Sequence, residues 1–166
     1  MDKLTFFEKI KKMINSQKKP EKNIALMVDG PNIIRKEFKL DLTQIKKQVE
    51  KYGHIKVAKI FLDQYASEKL IEAVTNQGFE PIISTGDVDV TMAVESICQV
   101  YNPNIDIIAL MTRDIDFRPV LLKAKEYGKY TIVIAAEPGF SVALKNTADE
   151  VILIKNDVIN DSSSQE

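Results

Sequence analysis

Tryptophan is absent from this chain of 166 residues, and cysteine and histidine occur once each. A single cysteine excludes an internal disulfide. Cys98 sits in the apolar stretch VESICQV, where a buried, inert thiol is expected, and a lone thiol accords with a reducing compartment. His54 follows Gly53 with no partner evident nearby, so no catalytic role is expected of it. Charge of one sign is missing too. There are 23 Lys and Arg residues against 24 Asp and Glu, a net charge of −1 at pH 7. This balance excludes a global pull toward nucleic acid, so any RNA or DNA contact needs a local basic patch. Long hydrophobic runs are lacking. The stretch 105–111 is among the longest and is far too short to cross a bilayer. The opening segment MDKLTFFEKIKKMINSQKKPEK has neither the apolar core nor the small-residue cleavage site of a signal peptide. A cytoplasmic protein with no membrane partner is the expectation.

What is present is the material of a folded domain: 45% hydrophobic and 28% charged residues, ordinary values for a globular chain long enough to bury one good core. Residues 4–14 place Leu4, Phe6, Phe7, Ile10, Met13 and Ile14 at helical spacing, with lysines over much of the other face. SQKKPEK then reads as a linker, because Pro20 excludes helix. From residue 23 onward, strands and helices alternate. Strands are expected at 23–28, 55–62, 79–84, 105–111 and 130–135, and a sixth at 151–154. Helices are expected at 42–52, 66–77, 90–101, 117–127 and 141–146, with Asp41 as a cap and Gly53, Gly78 and Gly128 as stops. Nearly all-apolar strands that alternate with helices imply a mostly parallel sheet of five or six strands covered on both faces, a three-layer α/β sandwich. The expected divisions are a basic amphipathic helix and linker over 1–22, the α/β domain over 23–155, and a flexible tail over 156–166.

In such a sheet every strand-to-helix loop falls at one edge, the edge where ligands bind. The loops at that edge are rich in acids. The first strand ends in VDGPN, with Asp29 and Asn32; the second in FLDQY, with Asp63; the third in STGDVDV, with Asp87 and Asp89 and, further along the helix, Glu95. The fourth ends in MTRDIDF, with Asp114 and Asp116, and the fifth in AEPG, with Glu137. Carboxylates gathered at close range repel and resist joint ionisation. Mg2+ or Mn2+ is the natural counter-charge, since hard cations take oxygen ligands. Helix capping is the competing explanation for Asp89, Asp114 and Asp116. Asp29 is harder to explain that way, because it ends an apolar strand and precedes the Gly30-Pro31 turn.

Three segments, VDGPNI, GDVDVTMAVES and MTRDIDFRPVL, resemble the NYN domain family, a branch of the PIN-like nucleases, and the resemblance runs from about residue 23 to 154. Asp29 and Asn32 match its first motif. Asp89 matches the second, with Glu95 where an Asp is usual, and Asp114, Asp116 and Phe117 match the third. Arg113 and Ile115 depart from the Gly and Ser of that third segment, and no Lys stands near Thr85. The resemblance implies a PIN-like, Rossmann-like fold with strand order 3-2-1-4-5. It also implies metal-dependent hydrolysis of phosphodiester bonds, in RNA above all. Asp29, Asp89 and Asp114 would be the principal metal ligands, with Asp116 and Glu95 completing the shell or orienting water. Asn32 and Thr112 would hold phosphate or water, and Arg35, Arg113 and Arg118 would meet the substrate backbone. Other enzymes on this architecture fit less well. A haloacid-type phosphatase needs DxD directly after the first strand, and a dinucleotide fold needs GxGxxG there; VDGPNIIRKE supplies neither. The alternatives that stay open are a PIN-like module that binds RNA or protein without cleaving, and a homodimer formed through the N-terminal helix.

Overall fold

The computed structural model describes residues 5–15, 21–33, 41–136 and 140–154. The chain opens with helix α1 (Phe6–Asn15) and enters strand β1 (Asn23–Asp29), which runs into the short helix α2 (Gly30–Ile33) where the sequence suggested only a turn. Helix α3 (Leu42–Val49), strand β2 (His54–Asp63), helix α4 (Glu68–Asn76), strand β3 (Glu80–Ser84) and helix α5 (Val88–Val100) follow. Then come strand β4 (Ile107–Met111), a 3-10 turn (Ile115–Phe117), helix α6 (Arg118–Glu126), strand β5 (Tyr130–Ala136), helix α7 (Val142–Thr147) and strand β6 (Glu150–Ile154).

Local chemistry sets most of these ends. Asp41, Ser67 and Ser141 accept backbone N–H groups in the first turns of α3, α4 and α7. The helix expected from residue 66 therefore begins two residues later, after the Ser67 cap. Gly78 and Gly128 close α4 and α6 at φ +84° and +76°, the left-handed conformation that glycine reaches without strain.

The six strands form one sheet in the order β3-β2-β1-β4-β5-β6, every neighbouring pair parallel. The order implied by the family resemblance is thus observed, with β6 added outside β5. Two cores lie on the two faces. Ile24, Leu26, Val28, Ile60 and Leu62 pack with α3 and α4 on one side. Ala25, Met27, Phe61, Ile108 and Leu110 pack with α5, α6 and α7 on the other. The chain winds outward from β1 to β3 under α3 and α4, then crosses back to β4, so β1 and β4 flank the point where the winding reverses. No helix among the described residues is long and apolar enough to cross a membrane. Cys98 is exposed rather than buried. It lies on α5 away from the core positions Met92, Ser96 and Val100 of that helix.

Candidate functional site

Strand parity decides where Asp29 points. Along β1, Ala25 and Met27 face the core beneath α5 and α6, so Asp29, two residues on, faces the same way. On β4 the same face carries Ile108 and Leu110, and Thr112 continues it just beyond the strand. Asp29 and Thr112 are both buried, at 1% and 0% exposure. The Thr112 hydroxyl donates to Asp29 Oδ2 at 2.9 Å and accepts the Asp114 backbone N–H at 3.1 Å. One small side chain thereby ties the acid ending β1 to the acid following β4. The close turn after Asp29 depends on Gly30. A Cβ there would run into the Phe61 carbonyl and lie 2.6 Å from Leu62 Cδ2.

The two DxD segments adopt the same local geometry. Asp87 caps α5 and its carboxylate accepts the Asp89 N–H at 2.9 Å; Asp114 caps the 3-10 turn and accepts the Asp116 N–H at 2.9 Å. Capping therefore accounts for one oxygen of the leading acid in each pair. It does not account for Asp89, which sits half-buried in the first turn of α5. Burial, and then the charges of Asp29, Asp114, Asp87 and Asp116, push its carboxyl up to about 6. Four acids from three separate loops bear on a fifth at the switch point of the sheet. Asp87 belongs to this group although it lies outside the expected ligand set. Its signal was the doubled DxD pattern, in which the first Asp of each pair has the same role.

The other expected residues are distributed differently. Glu95 does not turn toward Asp89. Six residues along a helix is about 240° of rotation, a different face, and Glu95 pairs with Lys59 Nζ of β2 at 2.7 Å. Lys59 shares the sheet face of Phe61 and lies 4.0 Å from Glu80 as well. It is the residue that sequence reasoning missed, because a lysine inside an apolar strand gives no local sign of its partner. Thr112, expected to hold phosphate, is instead fully enclosed between Asp29 and Asp114. Arg118 is exposed and donates from Nε to Thr147 Oγ1 at 3.1 Å, joining α6 to α7. Arg113 stands half-buried between Thr112 and Asp114, and Asp116 is exposed. Asn32 lies on α2; Arg35 and Glu137 lie outside the described residues.

Among the described residues no three acidic, histidine or cysteine side chains converge closely enough to cage an ion by themselves. The donor set is all oxygen and strongly acidic. That chemistry fits Mg2+ or Mn2+, and Mg2+ is commonly held by one or two carboxylates with water completing its shell. Asp29, Asp89 and Asp114 are the acids that could hold such an ion, with Asp116 acting on the same group. A cleft of about 400 Å³ lined by Tyr52, Asp106, Tyr127, Lys129 and Tyr130 lies at the opposite edge of the sheet and contains none of these acids.

The NYN domain family model matches residues 23–155. The uncharacterized protein MJ0482 of Methanocaldococcus jannaschii is 59% identical over 138 residues, 83% of this chain and 58% of that protein. The chain thus spans little more than half the length of that relative. Among solved structures, a protein of unknown function, VPA0982 from Vibrio parahaemolyticus RIMD 2210633, is similar with a TM-score of 0.73 and 21% identity, over 84% of this chain and 97% of that one. At that identity the likeness is one of fold.

Proposed function

From the premise that this chain belongs to the NYN domain family, we propose that it hydrolyses phosphodiester bonds of RNA at the acidic edge of its sheet, with a divalent cation held by Asp29, Asp89 and Asp114. The observation that carries this reading is the Asp89 carboxyl, pushed up to about 6 by burial and by four other acids with no described cation among the causes. A folded protein that keeps such repulsion has a use for an external positive charge. Bound Mg2+ or Mn2+ would neutralise the acids toward an incoming phosphate, lower the pKa of a water and stabilise charge on the phosphate oxygens.

The chain's own residues do the positioning. Thr112 fixes the rotamer of Asp29 and the start of the 114–116 segment together, so two of the three proposed ligands move as one unit. Asp87 fixes the first turn of α5 and hence the backbone of Asp89. Asp116, exposed at the rim, would orient the attacking water and accept its proton. Attack of the water oxygen on phosphorus breaks one P–O ester bond. The products are a phosphomonoester and an alcohol, the alcohol oxygen taking up a proton. Arg113, beside Asp114, is the described cation closest in sequence to this site and the candidate contact for the RNA backbone.

A second reading, an RNA-binding module that does not cleave, is favoured by one observation: Glu95, the acid expected to complete the shell, pairs with Lys59. One experiment separates the two. Wild type and Asp114→Asn are incubated with a panel of single-stranded and structured RNAs in Mg2+, Mn2+ or EDTA. Cleavage that needs metal and disappears in the variant supports the nuclease. RNA binding without cleavage in any metal, unchanged in the variant, supports the binding module.

A further inference from the structure

Two apolar stripes of the same spacing lie open to solvent on different parts of this chain. On α1 the stripe is Phe6, Ile10 and Ile14, at i, i+4 and i+8, with Phe6 and Ile14 exposed by 74% and 65% and Ile10 between them half-buried. On α5 it is Val90, Val94 and Cys98, again at i, i+4 and i+8. Val90 and Val94 are 60% and 58% exposed, and Cys98 is exposed as well. Rows of side chains at i, i+4 and i+8 are the ridges that interdigitate in the commonest helix–helix packing. Scattered single exposed apolar residues need no explanation, but a continuous ridge on each of two helices does.

Charge selects how the ridges pair. Helix α1 carries Lys9, Lys11 and Lys12 against Glu8, a net +2. Helix α5 has no lysine or arginine, and apart from Asp89, which belongs to the acidic cluster, its one charged residue is Glu95. In the Lys59–Glu95 pair the acid is the more exposed partner, its side chain 34% accessible against 17% for the lysine. Packing α1 on α1, or α5 on α5, would set like charges together, while α1 on α5 sets opposite charges together. We propose that α1 of one copy docks along the Val90–Val94–Cys98 ridge of a second copy, each copy giving and receiving a helix. Reciprocal exchange closes a two-fold dimer and leaves neither ridge open. The occupant is a second copy because each copy supplies both the basic α1 ridge and the α5 ridge that bears Glu95, and among the described residues nothing covers Phe6, Ile14, Val90, Val94 or Cys98.

The test uses the full chain in sedimentation velocity over a concentration series, with Phe6→Asp and Val94→Asp. Both side chains are exposed, so both variants should fold, which circular dichroism checks. The wild type is expected to sediment as a dimer, and each variant to dimerise at least about tenfold more weakly, since each puts a charge into an apolar contact. The decisive measurement is an equimolar mixture of the two variants. It retains one intact α1 and one intact α5 ridge, so it should recover a dimer that neither variant forms alone. A monomeric wild type overturns the proposal. So does a dimer indifferent to both substitutions, or a mixture no better than its components. Alkylation of Cys98 separates exchange from docking within one chain. Protection that grows with protein concentration supports exchange, and protection independent of concentration overturns it.

Discussion

Asp149 and Asp89 stand at opposite edges of one sheet, and their carboxyls are shifted in opposite directions. At the edge where the strands begin, Asp149 accepts the Thr131 amide at 2.9 Å and the Thr131 hydroxyl at 2.8 Å, and Lys125 lies 3.5 Å away. Burial alone would raise its carboxyl, but these donors outweigh burial and hold it below the ordinary value. Asp106, at the same edge, accepts the Asn23 amide at 2.9 Å. At the edge where the strands end, Asp89 is pushed up to about 6, with other acids as its neighbours. The same residue type is thus a fastener where donors surround it and a stored repulsion where acids do. Only the second arrangement has something to gain from a bound cation.

The contrast between the two edges is largest at Asp89. Asp89→Asn should lower metal-dependent RNA cleavage by more than about a hundredfold, the scale of losing one charge aimed at the reacting centre. The same change should raise thermal stability in EDTA at pH 7.5, by no more than about 1 kcal/mol once solvent screening is allowed for. The sign follows from the raised carboxyl. The folded state holds that proton more tightly than the unfolded one, so stability falls as pH rises from about 4 to 6 and is level above, and the Asn variant lacks this fall. A variant that loses stability in EDTA at pH 7.5 would show that the acids at this edge are not repelling one another.

Thr112→Val comes next. It keeps the shape and removes the hydroxyl between Asp29 and Asp114. Cleavage should drop about tenfold to a hundredfold, as for other groups that orient a ligand without touching substrate, with RNA binding unchanged and Thr112→Ser restoring the rate. An equal loss of RNA binding would return Thr112 to the substrate-facing role that the family resemblance implies.

Asp149→Ala tests the other edge. It should cost about 1–3 kcal/mol of stability, because the Thr131 amide loses its acceptor, and the folded variant should leave cleavage untouched. Since the Asp149 carboxyl is depressed on folding, its contribution is present above the ordinary carboxylate range and is lost as pH falls through its folded value. The gap between wild type and variant in denaturant titrations should therefore close on acidification. The smallest effect is expected from Glu95→Gln. It should leave cleavage within about threefold and cost less than about 1 kcal/mol, as a partly exposed ion pair does. A loss comparable with that of Asp89→Asn would place Glu95 back among the ligands.

Much of this was legible in the amino-acid order. Alternating apolar runs and amphipathic segments, each closed by Gly or opened by Asp or Ser, determine a parallel sheet covered on both faces. The direction of a parallel sheet alone is enough to send Asp29, Asp89 and Asp114 to a common edge. Tertiary structure decided which acids meet there. Strand parity turns Asp29 toward α5 and α6, and the order of β1 beside β4 lets the Thr112 hydroxyl reach it. Helix phase carries Glu95 round to a lysine on β2 that no local pattern connects with it. Sequence periodicity reports which way a side chain points from its own element. What it meets depends on a neighbour brought in from tens of residues away, and for Glu95 that neighbour, Lys59, is 36 positions distant.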